Sequence, residues 1–391
     1  MGVSHSFSLS YYFVLGFFLL SISKSVFSLD ASGRIGFESR YFFGDKKVQA
    51  GALFEPEFYW ASKSGDDTFT LKIFGRYDEL DDERSYIDIR EALWLHIADS
   101  WEFRAGIGKV FWGVTESNHL VDIVNQTDFV ESADGEQKLG QPMLHFTKLN
   151  DWGVVDLFVL PGFRERTFPG PDGRLGGPFF FGAENVFYED SKENRHVDYA
   201  FRYSHYMGVF DFGLSGFTGT NREPQLIFGD TIQLLYDQLG QLGLDVQATL
   251  GDWLIKFEAV CREDSIGTYF AQTVGFEYTL PNMFDRGFDL GLLTEYSFDD
   301  RAQNIAPLDN DIFLGARFTL NDVQSTELLI GASQDLDRKT SRLLFIEGSR
   351  RIGGNWKATL DARVFSASDQ DDPLFFIRDE DYSSLTIEWY Y

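Results

Sequence analysis

The sequence predicts an all-β fold, a transmembrane antiparallel β-barrel of roughly 18 strands, with roughly 16 as the alternative count. Three observations predict it. Segment after segment alternates apolar and polar residues with a period of two, as a strand with two unlike faces requires. The connections between segments alternate between short and long, as they do when every second turn lies on the same side of a membrane. No apolar run of about 18 residues follows the N-terminal region, which excludes a bundle of membrane helices.

The chain begins MGVSHSFSLSYYFVLGFFLLSISKSVFS, in which Tyr11 to Leu20 are almost wholly apolar and the small residues needed for cleavage lead up to Leu29. That is the outline of a secretory signal peptide over 1–28, leaving 29–391 as one barrel domain. No Lys or Arg precedes the apolar run, so a retained N-terminal helix is the alternative.

The predicted strands follow in order near 33–43, 48–61, 67–77, 85–98, 101–112, 142–149, 152–161, 196–207, 209–220, 239–250, 252–262, 268–280, 287–298, 311–321, 326–334, 341–350, 355–366 and 383–391. Their pattern is cleanest late in the chain. Trp253, Ile255, Phe257, Ala259 and Cys261 oppose Lys256, Glu258 and Arg262; Trp356, Ala358, Leu360, Ala362 and Val364 oppose Lys357, Asp361 and Arg363. Helices do not produce that order. The polar set, including Arg76, Arg90, Arg104, Arg202, Lys256, Glu258, Arg262, Arg317, Asp361 and Arg363, is expected on the lumen wall. Lys72, Lys357, Glu55, Glu57, Asp88, Glu102, Asp198, Asp245, Glu277, Asp289 and Glu295 fall on the same face, so the signs are nearly balanced, which predicts pairing across strands and little sorting of ions. The end, LTIEWYY, places Leu385, Ile387, Trp389 and Tyr391 on one face and finishes on an aromatic residue. Trp389 and Tyr391 resemble the C-terminal signal that barrel proteins present to their assembly machinery, which usually ends in Phe.

Composition agrees with a membrane barrel. The 40 Phe, 17 Tyr and 8 Trp can coat an apolar exterior and its aromatic rims, while a net charge of −27 belongs to a polar lumen and acidic loops. That charge argues against nucleic acid as a partner, because phosphates would be repelled. Asp-rich outer loops beside lipopolysaccharide are a compositional expectation only. Cys261, the single cysteine, falls on the lipid side as a small apolar filler.

One stretch breaks the pattern. Residues 113–141 lack alternation, and His119 to Phe129 is expected to form a short helix with Leu120, Ile123 and Val124 on one side. With the strands counted as above, this is the third outer loop. In architecture and at both ends the mature chain resembles the general porins of Gram-negative outer membranes. Locally Trp112, Gly113, Asp122, Asn125 and Asp128, and later Gln241 to Ala259, are similar to segments of an uncharacterised family of porin-like barrels. The resemblance implies that the third loop folds into the lumen and narrows it. Glu116, His119, Asp122, Asp128 and Glu131 would then line the constriction, tipping it weakly towards cations. An ordinary surface loop or lid is the alternative. The resemblance leaves trimer and monomer open.

The expected function is passive diffusion of small polar solutes or ions, with no cofactor, metal or catalytic residue. A specific transporter or exporter of a polysaccharide or a lipid-like solute is the alternative, the latter through Phe179, Phe180 and Phe181 in the loop at 162–195. A hydrolase with a rim-sited His is the alternative of another class, with His119 and Asp122 or His196 and Asp198 as half-sites; no HExxH or GxSxG motif supports it.

Overall fold

A computed structural model describes residues 28–176, 185–228, 232–301 and 308–391. The expected signal peptide, but for its last residue, and Phe179, Phe180 and Phe181 lie outside the described residues. In chain order the strands are β1 (Ser28–Phe42), β2 (Val48–Ala61), β3 (Asp67–Asp78), β4 (Tyr86–Ala98), β5 (Trp101–Gly108), β6 (Gln141–Asn150) and β7 (Gly153–Pro161). They continue as β8 (Val186–Tyr188), β9 (Val197–Met207), β10 (Phe210–Thr220), β11 (Gln225–Phe228), β12 (Ile232–Tyr236), β13 (Gln238–Leu250) and β14 (Trp253–Glu263). The last are β15 (Thr268–Met283), β16 (Phe288–Asp299), β17 (Asn310–Thr319), β18 (Glu327–Asp335), β19 (Arg342–Ile352), β20 (Trp356–Ser366) and β21 (Tyr382–Tyr390). Apart from β8, β11 and β12, these form one 18-stranded antiparallel sheet. β21 pairs with β1, Trp389 opposite Ile35, and closes it. Closure leaves no free edge, so every strand of this sheet has two hydrogen-bonded neighbours.

The predicted segments and the observed strands agree closely, because period-2 alternation is a local property. β14 shows why the face assignment holds. Trp253, Ile255 and Cys261 are exposed, while Lys256, Glu258, Val260 and Arg262 between them are buried. Apolar outside and polar inside is the reverse of a water-soluble protein, and it is stable only where lipid surrounds the outside. Seven of the eight Trp (Trp60, Trp94, Trp101, Trp152, Trp253, Trp356, Trp389) stand near the rim with short turns. All of these but Trp356 pack on other rings there, as Trp253 does on Tyr278 with centroids 4.5 Å apart. Amphipathic rings favour that depth, between acyl chains and water.

Three features differ from the expectation. β5 stops at Gly108, and β15 runs to Met283 with a register shift after Leu280. A second sheet of β11, β12 and β8 stands on the long-loop rim, over a small core of Phe163, Leu234 and Tyr236. The expected helix at His119 to Phe129 is absent, replaced by turns and a bridge between Thr127 and Lys138. The reason is competition for backbone groups. The Leu120 carbonyl accepts from Arg262, the Val124 carbonyl accepts from Arg222, and the Val121 N–H donates to Glu258.

Candidate functional site

The third loop on the long-loop side, 109–140, carries the expected site residues. Its apolar side chains Leu120, Val121, Ile123 and Val124 form one buried cluster with Trp112, Met143, Phe158, Leu160, Ala200, Phe217, Leu239, Val260 and Ala271. The wall members of that cluster belong to β6, β7, β9, β10, β13, β14 and β15.

Two buried wall carboxylates hold its backbone. Glu258 Oε1 accepts the N–H groups of Val114 and Thr115 at 2.7 and 3.0 Å and the Thr115 hydroxyl at 2.7 Å. Its Oε2 accepts the Val121 N–H at 3.2 Å. Glu295 accepts the N–H groups of Glu116 and Ser117 and the Ser117 hydroxyl, at 2.8, 2.7 and 2.6 Å. Several convergent donors replace the water a buried carboxylate has lost. The close approach requires Gly113, whose φ is +132° and where a Cβ would stand 2.8 Å from Glu258 Oε1.

The loop's charged side chains reach more strands. Glu116 pairs with Arg317 of β17 at 2.7 Å and lies 3.7 Å from Lys256 of β14. Glu131 pairs with Arg76 of β3, and Asp134 with Arg363 of β20 at 2.8 Å. His119 bonds Glu136 at 3.0 Å, within the loop and not to Asp122. Burial disfavours its cation, but that bond and the surrounding carboxylates raise its pKa above the usual histidine value. Asp122 accepts the Trp112 N–H and lies 3.3 Å from Lys138; burial pushes its pKa up. Asp128 is 0 % exposed and takes Arg90 at 2.7 Å and the hydroxyls of Tyr86 and Thr167. Asp122 and Asp128 therefore work as struts; of the loop's other charged residues Glu116, His119, Glu131 and Lys138 are half-buried, and Lys109, Asp134 and Glu136 are exposed.

The wall residues are largely paired. Arg202 grips Asp245 with both nitrogens at 2.7 Å. Arg104 pairs with Glu102, and Arg363 also meets Glu347 and Asp361. Arg262 spans Gln241, Glu223 and the Leu120 carbonyl. His196 pairs with Asp198 at 2.7 Å, but the second oxygen of Asp198 is held by Arg222 at 2.6 Å, an arrangement that serves structure. Sequence reasoning missed Arg166, Arg222 and Glu223, which come from outer loops with no periodic pattern. It also missed Glu38, which meets Arg40, Arg76 and Arg84 at once.

No protein-family model matches the chain, and none of the curated proteins does. Among solved structures, OccK11 (OpdR) of Pseudomonas aeruginosa superposes with a TM-score of 0.51 at 11 % identity, covering 93 % of this chain and 95 % of that one. OmpF of Salmonella typhi, in complex with daunomycin, gives 0.49 at 12 % identity over 93 % and 97 %. A mutant of the Rh. blastica porin gives 0.45 at 10 % over 93 % and 100 %. The likeness to OccK11 is one of fold. With the closed 18-stranded sheet, the apolar exterior and the aromatic rim, it makes the chain a transmembrane β-barrel of porin fold.

Proposed function

We propose that this barrel is a channel for passive diffusion of small polar solutes or ions, and that residues 109–140 lie across its lumen and set its width. The observation that carries the reading is the pair of carboxylates, Glu258 and Glu295, bonded to consecutive N–H groups of the loop. Contacts with β3, β14, β16, β17 and β20 support it, because a loop lying outside the barrel would meet only its neighbours. Charge left facing water is sparse and mixed, so selectivity is weak and slightly favours cations. Transport by this route needs no cofactor.

The test is single-channel conductance of the refolded protein in a planar bilayer under a salt gradient. Discrete steps with a small cation-positive reversal potential are expected, and deletion of Ser117 to Glu136 raises the conductance. A silent bilayer from protein that shows heat-modifiable migration on a gel overturns the channel reading.

A further inference from the structure

On an inner wall where most charges are paired, two opposite charges are left over near each other. A bulge in β4 places the first. Lys72 of β3 stands opposite Glu91 and Ile73 opposite Ile89, so Arg90 is the extra residue between them. Lys72 is four residues from Arg76, which meets Glu131 of the third loop, and so shares its inward face. Residues opposite each other on paired strands share a face, which sets Glu91 on the lumen side with Lys72. Arg90 reaches that side as well, where it takes Asp128 of the loop at 2.7 Å. The second leftover charge is Lys109. β5 stops after eight residues, at Gly108, so the chain leaves the wall beside the middle of β4 and not above its rim. From there it alternates: Val110 and Trp112 pack into the apolar cluster, while Lys109 and Phe111 are exposed.

Glu91 and Lys109 are within electrostatic reach of each other, and both are within reach of Lys72. They therefore border one patch of wall. The other charges of that patch are paired: Lys72 meets Glu57 at 3.0 Å, Arg34 meets Glu55 at 3.0 Å, and Arg90 meets Asp128. Glu91 and Lys109 have neither a hydrogen bond nor an ion pair among the described residues, and no ion pair joins them. Burial and the cations of Arg90 and Lys72 hold the Lys109 pKa below the usual lysine value, against the pull of Glu55 and Glu91, as befits an ammonium with no counter-ion in contact. Phe111 adds an apolar surface. It is 57 % exposed, faces away from the cluster two residues from Lys109, and stands edge-on to His119 with centroids 4.9 Å apart. A bare ring beside two unanswered charges is an apolar contact without a partner.

We infer that Glu91, Lys109 and Phe111 form a subsite for a free α-amino acid with an apolar or aromatic side chain. Lys109 takes its carboxylate, Glu91 its ammonium and Phe111 its side chain. The inference rests on the channel reading and deepens it by naming a solute class. An anion would leave Glu91 unanswered, and a cation would leave Lys109 so; a solute with both charges answers both. A zwitterion also carries no net charge, which suits a passage whose wall charges nearly balance.

The test is calorimetric titration of the detergent-folded full chain with L-phenylalanine, and with two analogues that each lack one charge, hydrocinnamate and phenethylamine. Saturable binding of L-phenylalanine is expected, with each analogue about tenfold weaker, the value of one charge-assisted hydrogen bond. Glu91→Gln brings L-phenylalanine down to the level of hydrocinnamate, and Lys109→Gln brings it to the level of phenethylamine. Lys339→Gln removes an exposed positive charge from the turn between β18 and β19 and leaves binding unchanged. Heat-modifiable migration certifies each variant as folded, and the comparison of analogues needs no variant. Absence of saturable binding in the unaltered chain overturns the inference and leaves Glu91 and Lys109 to answer each other across water. Binding of either analogue as tightly as L-phenylalanine overturns it too, as does binding that E91Q and K109Q leave unaltered. A conducting barrel that does not bind L-phenylalanine loses only the subsite; a silent barrel that binds it loses only the channel.

Discussion

The two sides of the inner wall treat the third loop differently. From β6 to β15 the wall meets it mainly with apolar side chains, in the cluster around Val121, Ile123 and Val124. From β16 round to β4 it meets it with charge: Glu295, Arg317, Arg363, Arg76 and Arg90. The first kind of contact is strong and undirected; each buried aliphatic side chain contributes roughly 1.5–3 kcal/mol. The second is directional, and after desolvation contributes position more than net stability. The difference teaches that the loop is held down on one side and aimed from the other. Glu258 belongs to both, a charged anchor on β14 inside the apolar side.

The sharpest way to break that division is to charge the apolar side. Val121 is 0 % exposed within the apolar cluster and its N–H is held by Glu258, so Val121→Asp buries a second carboxylate beside the first at a cost of several kcal/mol. The loop is expected to leave its seat while the closed barrel survives, since the strand ladder does not depend on it. Conductance then approaches that of the loop deletion, and protease cuts between 114 and 140. A folded V121D barrel with unchanged conductance and an uncut loop contradicts the apolar anchor.

Next comes the aiming side. Glu258→Gln replaces one of the two oxygens that now accept four donors with an amide nitrogen that cannot accept, and Glu295→Gln does the same where three converge. Each change is expected to cost about 2–4 kcal/mol of loop anchoring. The readout is open-channel noise rather than mean conductance, because the apolar cluster still seats the loop. Noise equal to that of the unaltered protein in both variants would show that the carboxylates do not restrain the loop.

How much of this was legible in the sequence follows from the range of each interaction. A strand such as β14 carries its own evidence, because Trp253 to Arg262 alternate whatever they pair with. Closure was legible from turn lengths and from the aromatic end at Trp389. The inward direction of Arg317 or Arg363 was legible too, but not its partner, which comes from a loop that no period constrains. The absent helix has the same cause: Leu120 and Val124 have helical spacing, yet Arg262 and Arg222 take their carbonyls.

The smallest effect, and the most discriminating, is the pH response of the His119–Glu136 clip. His119 has its folded pKa raised above the ordinary value, so the clip's contribution is fully present below that ordinary value, about 6.5. It is lost as pH rises through the raised folded pKa, when the ring becomes neutral. Glu136 is half exposed, so screening limits the pair to about 0.2–1 kcal/mol. Loop noise in the unaltered protein is therefore expected to rise modestly between about pH 6 and about pH 9, more clearly at low salt than in about 1 M salt. His119→Gln, which bonds Glu136 without titrating, makes the trace flat across that range. Noise that falls as pH rises reverses the sign required of a histidine stabilised by a carboxylate, and would transfer the response to a group that is stabilised by losing its proton.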